Sequence, residues 1–254
     1  MPKVTVRGVG IHYEDVGRGE PLLLLHGALG TGRRHFRHQV DALTERFRII
    51  LPDTFGYGRS DHRPRFDPDF YWEDAAQMVE LLGGLGIERT HVGGFSDGAI
   101  TALCLAMEYP DLVCCLALFG ASTYIDEENL AELAKLTPPE SLAEPLQQAL
   151  ARAHGEPYWR DLVRVWFAGQ AEIVARGGNI NRHRLSDVHC PILLVHGAAD
   201  DVIGTYHAEV IKAAHPEAEL VILPGCGHFV LQEAPKETTE ILLCFLEQHP
   251  IGPS

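Results

Sequence analysis

A serine flanked by glycines, in the segment Gly94-Phe95-Ser96-Asp97-Gly98, is the strongest chemical signal in the chain. The segment follows a short apolar run and opens a helix-forming stretch, which predicts a sharp strand-to-helix turn. Such a turn strains its middle residue, and small neighbours let that side chain project above the sheet. The pattern marks Ser96 as a candidate nucleophile, and an ordinary glycine turn is the alternative interpretation.

A serine hydroxyl becomes a nucleophile only beside a general base, and the base needs a carboxylate to orient it. After a turn of this kind the partners are expected in the order acid, then histidine. One apolar run leads into His196-Gly197-Ala198-Ala199-Asp200-Asp201, and the next leads into Pro224-Gly225-Cys226-Gly227-His228. The candidate acid is therefore Asp200 or Asp201, and the candidate base is His228.

Acyl transfer also requires N–H donors for the oxyanion that forms when a carbonyl is attacked. Two backbone amides lie in suitable places: that of Asp97, directly after the serine, and that of Ala28, directly after His26-Gly27. Leu29 is the alternative to Ala28. The helix that is expected to begin at Asp97 would add the positive end of its dipole.

Most of the fourteen histidines carry no signal of chemistry. His26 is expected to be structural. His35 and His38 stand one helical turn apart beside several arginines, and this favours a solvated helix face over half of a metal site. We predict neither a metal ion nor an organic cofactor.

Short apolar runs alternate with helix-forming stretches along most of the chain. This alternation is typical of βαβ units, so we predict an α/β fold with a mostly parallel central sheet and helices on both faces. A hairpin is expected over residues 3–15. The predicted buried strands are 22–25, 47–51, 90–93, 112–119, 191–195 and 220–223. The predicted helices are 35–45, 71–85, 97–109, 206–214 and 235–248.

Residues 122–188 interrupt the alternation, because their sequence is helical or acidic and contains no convincing strand. A segment of this length with helices of its own is too long for a simple connection. We predict a small helical cap over residues 122–188, inserted into a core formed by residues 1–121 and 189–254. Ligands of open α/β sheets bind outside the carboxyl ends of the strands, so the substrate is expected between core and cap.

Composition limits the possible partners. The chain has 254 residues, of which 35 are acidic and 21 basic, a net charge of −14. This balance argues against nucleic acids and anionic membranes, which are bound through lysine and arginine. Six cysteines without a C-x-x-C pair suit reduced thiols. With no secretory signal and no apolar run of membrane-spanning length, we expect a cytoplasmic protein, and the sequence does not indicate its oligomeric state.

Taken together, these motifs resemble the α/β-hydrolase family over essentially the whole chain. The His-Gly loop, Leu51-Pro52-Asp53-Thr54-Phe55-Gly56-Tyr57-Gly58-Arg59-Ser60, Gly-Phe-Ser-Asp-Gly, His-Gly-Ala-Ala-Asp and Gly-Cys-Gly-His occur in the order of that family. The resemblance implies that Ser96 is nucleophile, Asp200 acid and His228 base. Asp200 is preferred to Asp201 because the acid of the family usually stands three residues after the glycine of its loop. Asp53 would be a structural turn residue.

A closer resemblance is to the valacyclovir hydrolases, also called biphenyl hydrolase-like proteins. It rests on residues 94–103, 119–124 and 178–183 and on Cys190-Pro191. It implies hydrolysis of α-amino acid esters, with Asp97 holding the ammonium group of the substrate. The chain departs from this group at His26 and Asp201, where proline is expected, and at Ala28, where a larger residue is expected. These departures leave the size of the acyl pocket and the choice of substrate open.

Two roles are open to Asp97 on physical grounds. An acidic residue in the first turn of a helix is favoured by the helix dipole alone, by about 0.3 to 1 kcal/mol. If the carboxylate instead faces the substrate, it opposes the developing oxyanion by roughly 4 kcal/mol at close range. The second role is useful only when a cationic group on the substrate neutralises the carboxylate.

We therefore predict that the protein is a serine esterase that hydrolyses small carboxylic esters, with α-amino acid esters as its substrates. The alternatives are a carbon–carbon bond hydrolase, a lactonase or a peptidase with the same triad, and a non-enzymatic receptor on the same scaffold. The candidate walls of the substrate pocket, each of which could instead be plain core, are Phe95, Tyr124, Trp159, Trp166, Val202 and Phe229.

Overall fold

One sheet of eight strands organises the part of the chain that the structure describes, residues 3–252 of a computed structural model. Residues 1–2 and 253–254, the ends of the predicted core, lie outside the described residues. The strands are β1 (Lys3–Val6), β2 (Val9–Gly17), β3 (Glu20–Leu25), β4 (Phe47–Pro52), β5 (Thr90–Phe95), β6 (Val113–Phe119), β7 (Ile192–Gly197) and β8 (Glu219–Leu223).

The sheet order is β1-β2-β4-β3-β5-β6-β7-β8. Strands β3 to β8 run parallel, while β1 and β2 form an antiparallel hairpin that pairs with β4. All six predicted buried runs are strands, with ends shifted by at most two residues. The predicted fold class is thereby confirmed.

Helices cover both faces of the sheet. They are α1 (Gly32–His35), α2 (Val40–Leu43), α3 (Phe70–Gly84), α4 (Asp97–Glu108), α5 (Glu127–Leu133), α6 (Glu144–His154), α7 (Tyr158–Ala175), α8 (Tyr206–Ala214), α9 (Val230–Glu233) and α10 (Pro235–Gln248). The single helix predicted over 35–45 is wrong. Phe36 leaves helical geometry at φ −103° and ψ 17°, so two single turns replace it, and Phe36, Val40 and Leu43 all pack on the sheet.

The four consecutive leucines of β3 show why the strands of a parallel sheet have apolar residues at successive positions. Leu22 and Leu24 pack into the hydrophobic cluster on one face of the sheet, and Leu23 and Leu25 pack into the cluster on the other. All four side chains are fully buried. Because both faces are covered, alternation of polar and apolar residues is lost.

The segment between β6 and β7 is helical. It contains α5, α6 and α7 and three 3₁₀ turns, Ala134–Leu136, Pro139–Ser141 and Arg182–Asp187. Leu150, Trp159 and Val163 form a small apolar cluster inside it. We call residues 122–188 the cap. Among residues 3–252 no helix has the length and apolar character that crossing a membrane requires.

Candidate active site

The turn between β5 and α4 holds Ser96 in a strained backbone conformation, φ 54° and ψ −120°. A non-glycine residue in this region costs free energy and persists only where its surroundings enforce it. The Ser96 amide donates to the carbonyl of Phe119 at 2.9 Å, which ties the turn to the end of β6. This geometry lifts the hydroxyl out of the sheet edge, as the glycine-flanked pattern predicted.

The flanking glycines are required by close approach of backbone. A Cβ on Gly94 would lie 2.4 Å from the carbonyl oxygen of Gly98, and a Cβ on Gly98 would lie 2.2 Å from that of Leu25. Any larger residue would push α4 away from the strand ends. The two glycines therefore let the helix begin directly behind the serine.

Three side chains distant in sequence meet at the carboxyl edge of the sheet. The Nε2 atom of His228 lies 3.0 Å from the Oγ of Ser96, and its Nδ1 atom lies 2.8 Å from Oδ2 of Asp200. Because an ionised carboxylate only accepts, Nδ1 carries the proton and Nε2 is free to accept one from the serine. This is the arrangement that activates a serine hydroxyl.

Asp200 is fixed by several donors. Its Oδ1 accepts hydrogen bonds from the backbone amides of Val202 and Ile203, at 3.0 and 2.8 Å, while His196 lies 3.2 Å from its Oδ2. Burial opposes the charge, but the hydrogen bonds from His196 and His228 hold the pKa of Asp200 below its usual range. The carboxylate is thus ionised and oriented. Asp201 is exposed and lies on the wall of the cavity that contains Ser96 and His228.

Residues 26–30, which we call the oxyanion loop, face Ser96 from the end of β3. A Cβ on Gly27 would lie 2.9 Å from the Cβ of Ser96, so only glycine permits this approach. The amides of Ala28, Leu29 and Asp97 make no hydrogen bond within residues 3–252, and all three residues line the cavity above the serine. They are the donors available to an oxyanion.

His35 has a different role from the one predicted. It is buried, and its Nδ1 atom accepts the hydrogen bond of the Gly27 amide at 3.0 Å. The prediction of a solvated His35–His38 helix face is therefore wrong for His35, which ends the separate turn α1 and is buried, while His38 is exposed. Burial lowers the pKa of His35 well below its usual range, which keeps the ring neutral and able to accept.

The side chain of Asp97 faces the cavity beside Ser96. Oδ1 accepts from the Tyr71 hydroxyl at 3.0 Å, and Oδ2 accepts from the indole N–H of Trp166 at 2.9 Å. Burial raises the pKa of Asp97 to about 6, although both hydrogen bonds and the nearby His228 favour its charge. No lysine or arginine within residues 3–252 forms an ion pair with it. The carboxylate is held by neutral donors alone.

A cavity of about 310 Å³ lies between the sheet edge and the cap and contains the serine and the histidine. Of the predicted walls, Phe95, Trp166, Val202 and Phe229 line it. The lining residues that sequence reasoning did not identify include Ile100, Ile125, Glu132, Leu133, Lys135 and Leu136. The lining is mainly apolar, and Lys135 forms an ion pair with Glu132.

Two predicted wall residues are elsewhere. The ring of Tyr124 packs against that of His207 at 4.4 Å, because a backbone bridge to Asn179 turns this segment away from the cavity. Trp159 is the centre of the apolar cluster inside the cap and donates its indole N–H to Glu156 at 2.8 Å. The prediction that these two side chains line the pocket is wrong.

Comparison with known proteins is consistent with this site. The sequence profile of the Alpha/beta hydrolase family matches residues 22–241. Serine hydrolase BPHL of Mus musculus is 34% identical over 89% of this chain and 79% of its own length. A 2-hydroxy-6-oxo-6-phenylhexa-2,4-dienoate hydrolase of Burkholderia cepacia is 26% identical over 93% of this chain and 91% of its own length.

Solved structures agree on the fold. A meta-cleavage product hydrolase from Pseudomonas fluorescens IP01 superimposes with a TM-score of 0.85 over 98% of both chains, at 21% identity. A likeness at this identity concerns the backbone. Est816, described as an N-acyl homoserine lactone degrading enzyme, is 25% identical, with a TM-score of 0.78 over 96% of this chain and 100% of its own.

Replacing Ser96 or His228 by alanine is expected to lower kcat by about four to six orders of magnitude, because the two groups act as a unit. The double variant should be little slower than either single variant. Release of p-nitrophenol from p-nitrophenyl acetate measures all three. If the double variant instead lost the sum of the two single losses in activation free energy, Ser96 and His228 would not share one proton transfer.

Asp200→Asn is expected to lower kcat by about a thousandfold or more, because it removes the charge that holds the His228 tautomer. Asp201→Asn is the matched control, one residue away and exposed, and should change kcat less than about threefold. Steady-state assays on protein with an unchanged circular dichroism spectrum compare the two. A larger loss at Asp201 would show that the acid is assigned to the wrong carboxylate.

Proposed function

The chain is a serine hydrolase of the α/β-hydrolase family, and we propose that it is an esterase whose substrates are small esters of α-amino acids. The single observation that carries this proposal is the carboxylate of Asp97, which lies beside Ser96 with neutral hydrogen-bond donors and with no cationic partner among the described residues. A buried charge without a counter-ion is unfavourable. A protonated α-amino group on the acyl part of the substrate would supply the missing charge.

The chemistry follows from the geometry. The Oγ of Ser96 attacks the ester carbonyl while its proton passes to Nε2 of His228, and Asp200 stabilises the resulting imidazolium. The carbonyl oxygen takes up the negative charge facing the amides of Ala28, or Leu29, and Asp97. His228 then returns the proton to the departing alcohol. Water cleaves the acyl-enzyme by the same route and regenerates the serine.

The ammonium group also has an electrostatic role. An ionised Asp97 close to the reacting carbonyl would oppose the oxyanion, and this opposition is lifted when the substrate brings its own positive charge. The apolar lining of the cavity suits an uncharged leaving group. Similarity to serine hydrolase BPHL, at 34% identity, supports hydrolysis through a serine nucleophile.

A carbon–carbon bond hydrolase is the main alternative, because several relatives at 26 to 29% identity carry names of dienoate or dienedioate hydrolases. Those names denote acidic substrates. In this chain Asp97 would repel an acid, and Lys135, the cation on the cavity wall, is already paired with Glu132. We therefore favour the ester.

Asp97→Asn is expected to lower kcat/KM for a p-nitrophenyl ester of an α-amino acid by about ten- to a hundredfold, the value of a charged hydrogen bond. Asparagine keeps the size of the side chain and the backbone amide, and it removes the charge that opposes the oxyanion, so kcat/KM for p-nitrophenyl acetate and butyrate should not fall. Parallel assays of the three esters test this. Equal losses on all of them would assign Asp97 a purely structural role.

The preference for amino esters is expected to decrease as pH falls through 6. Because the pKa of Asp97 is about 6, its ionised fraction drops from about nine-tenths at pH 7 to about one-tenth at pH 5, whereas an α-amino group stays protonated there. The measurement is the ratio of kcat/KM for the amino ester to that for its uncharged analogue, which cancels any pH effect common to the two substrates. In Asp97→Asn the ratio should be flat, and a flat ratio in the wild type would contradict the proposal.

A further inference from the structure

The oxyanion loop contains a second strained residue, Leu29, whose φ of 55° lies in the left-handed region that favours glycine. A branched residue holds this conformation only when its surroundings enforce it. The beginning of the loop is fixed by the core, since His35 accepts the Gly27 amide and His26 binds the Gly27 carbonyl at 2.8 Å. The other end of the loop is fixed by the cap.

The contact that fixes this end comes from His154, the last residue of α6. Its Nε2 atom lies 3.0 Å from the carbonyl oxygen of Leu29, and its Nδ1 atom accepts the Gly58 amide at 2.9 Å. Since Nδ1 must be unprotonated to accept, Nε2 carries the proton and donates it to Leu29. The ring is buried, and burial lowers its pKa to about 4, so it is neutral near pH 7.

Two further contacts tie the same segment to the cap. The side chain of Leu29 packs against the apolar cluster of the cap, Leu150, Trp159 and Val163. Arg34, which follows the loop, donates to the carbonyl of Ala149 in α6 at 3.4 Å. The free amides of Ala28 and Leu29 thus lie between Gly27, which is hydrogen-bonded to the core, and the Leu29 carbonyl, which is hydrogen-bonded to the cap.

We propose that His154 is a positioning residue for the oxyanion hole. Through its contact with Leu29, it makes stabilisation of the oxyanion depend on the position of the cap over the core. A displaced α6 would release the Leu29 carbonyl, and Leu29 would relax toward ordinary backbone angles. The amides of Ala28 and Leu29 would then turn away from Ser96. The inference rests on acyl transfer at Ser96, whatever the charge of the acyl group.

Three variants of the full-length protein test the coupling. His154→Phe keeps a ring of similar size and removes both hydrogen bonds, whereas His154→Gln keeps one donor and one acceptor. Tyr158→Phe is the matched control, because the Tyr158 hydroxyl joins α7 of the cap to the Gly56 carbonyl and the Arg63 amide without touching the oxyanion loop. Circular dichroism and thermal unfolding establish that each variant is folded.

We expect His154→Phe to lower kcat/KM about ten- to a hundredfold, by the same factor for p-nitrophenyl acetate and for an amino ester, as befits loss of an oxyanion donor. The inhibition constant of an alkyl trifluoromethyl ketone, whose adduct with Ser96 carries an oxyanion, should rise in proportion. His154→Gln should retain most of the activity, and Tyr158→Phe should remain near wild type.

Any of three results would overturn the proposal: unchanged kcat/KM in His154→Phe, an equal loss in Tyr158→Phe, or a loss in His154→Gln as large as in His154→Phe. The second would indicate general loosening of the cap, and the third a role for ring packing. A factor that differs between the acetyl and the amino ester would instead place His154 in amine recognition. Because the expected loss is the same on both esters, it is distinguishable from failure of the role proposed for Asp97.

Discussion

The imidazole of His228 must reach a hydroxyl on one side and a carboxylate on the other, and the sheet makes this possible. Its two nitrogens lie 3.0 and 2.8 Å from partners that follow β5 and β7, while the histidine itself follows β8. Hydrogen bonds tolerate only a few tenths of an ångström before they weaken. The register of the parallel strands, with Phe95 beside Phe119, Phe119 beside Val195 and Gly197 beside Leu223, aligns the three strand ends within that tolerance.

Strain is concentrated where chemistry takes place. Of the three non-glycine residues with positive φ among residues 3–252, Ser96 and Leu29 lie at the active site and Arg7 lies in a hairpin turn. Both active-site residues are held from outside their own segment, Ser96 by the carbonyl of Phe119 and Leu29 by the imidazole of His154. The rigid core and the cap thus each maintain one half of the site.

Sequence patterns predicted the strands, four of the five helices expected outside the cap, and the three residues that meet at the carboxyl edge of the sheet, because these follow from local signals. Apolar runs mark buried strands, and the turn around Ser96 has a local glycine requirement that is visible in the sequence. Contacts between segments that are distant in the sequence have no comparable signal in the local residue pattern. The sequence around His154 does not indicate that its imidazole binds the Leu29 carbonyl. The sequence around Tyr71 does not indicate that its hydroxyl binds Asp97. For the same reason Trp159, aromatic and within the cap, could not be distinguished from a cavity wall.

If the protein is the esterase proposed above, the carboxylate of Asp97 also bears on release of the acid product from the cavity. Cleavage of an acyl-enzyme at Ser96 turns an uncharged ester group into a second anion close to that carboxylate. Like charges at short range in a poorly hydrated site repel each other. Under the proposed function, the side chain that would favour arrival of an ammonium group would thus also destabilise the bound acid product, so a single fixed charge would promote both capture of the reactant and clearance of the product.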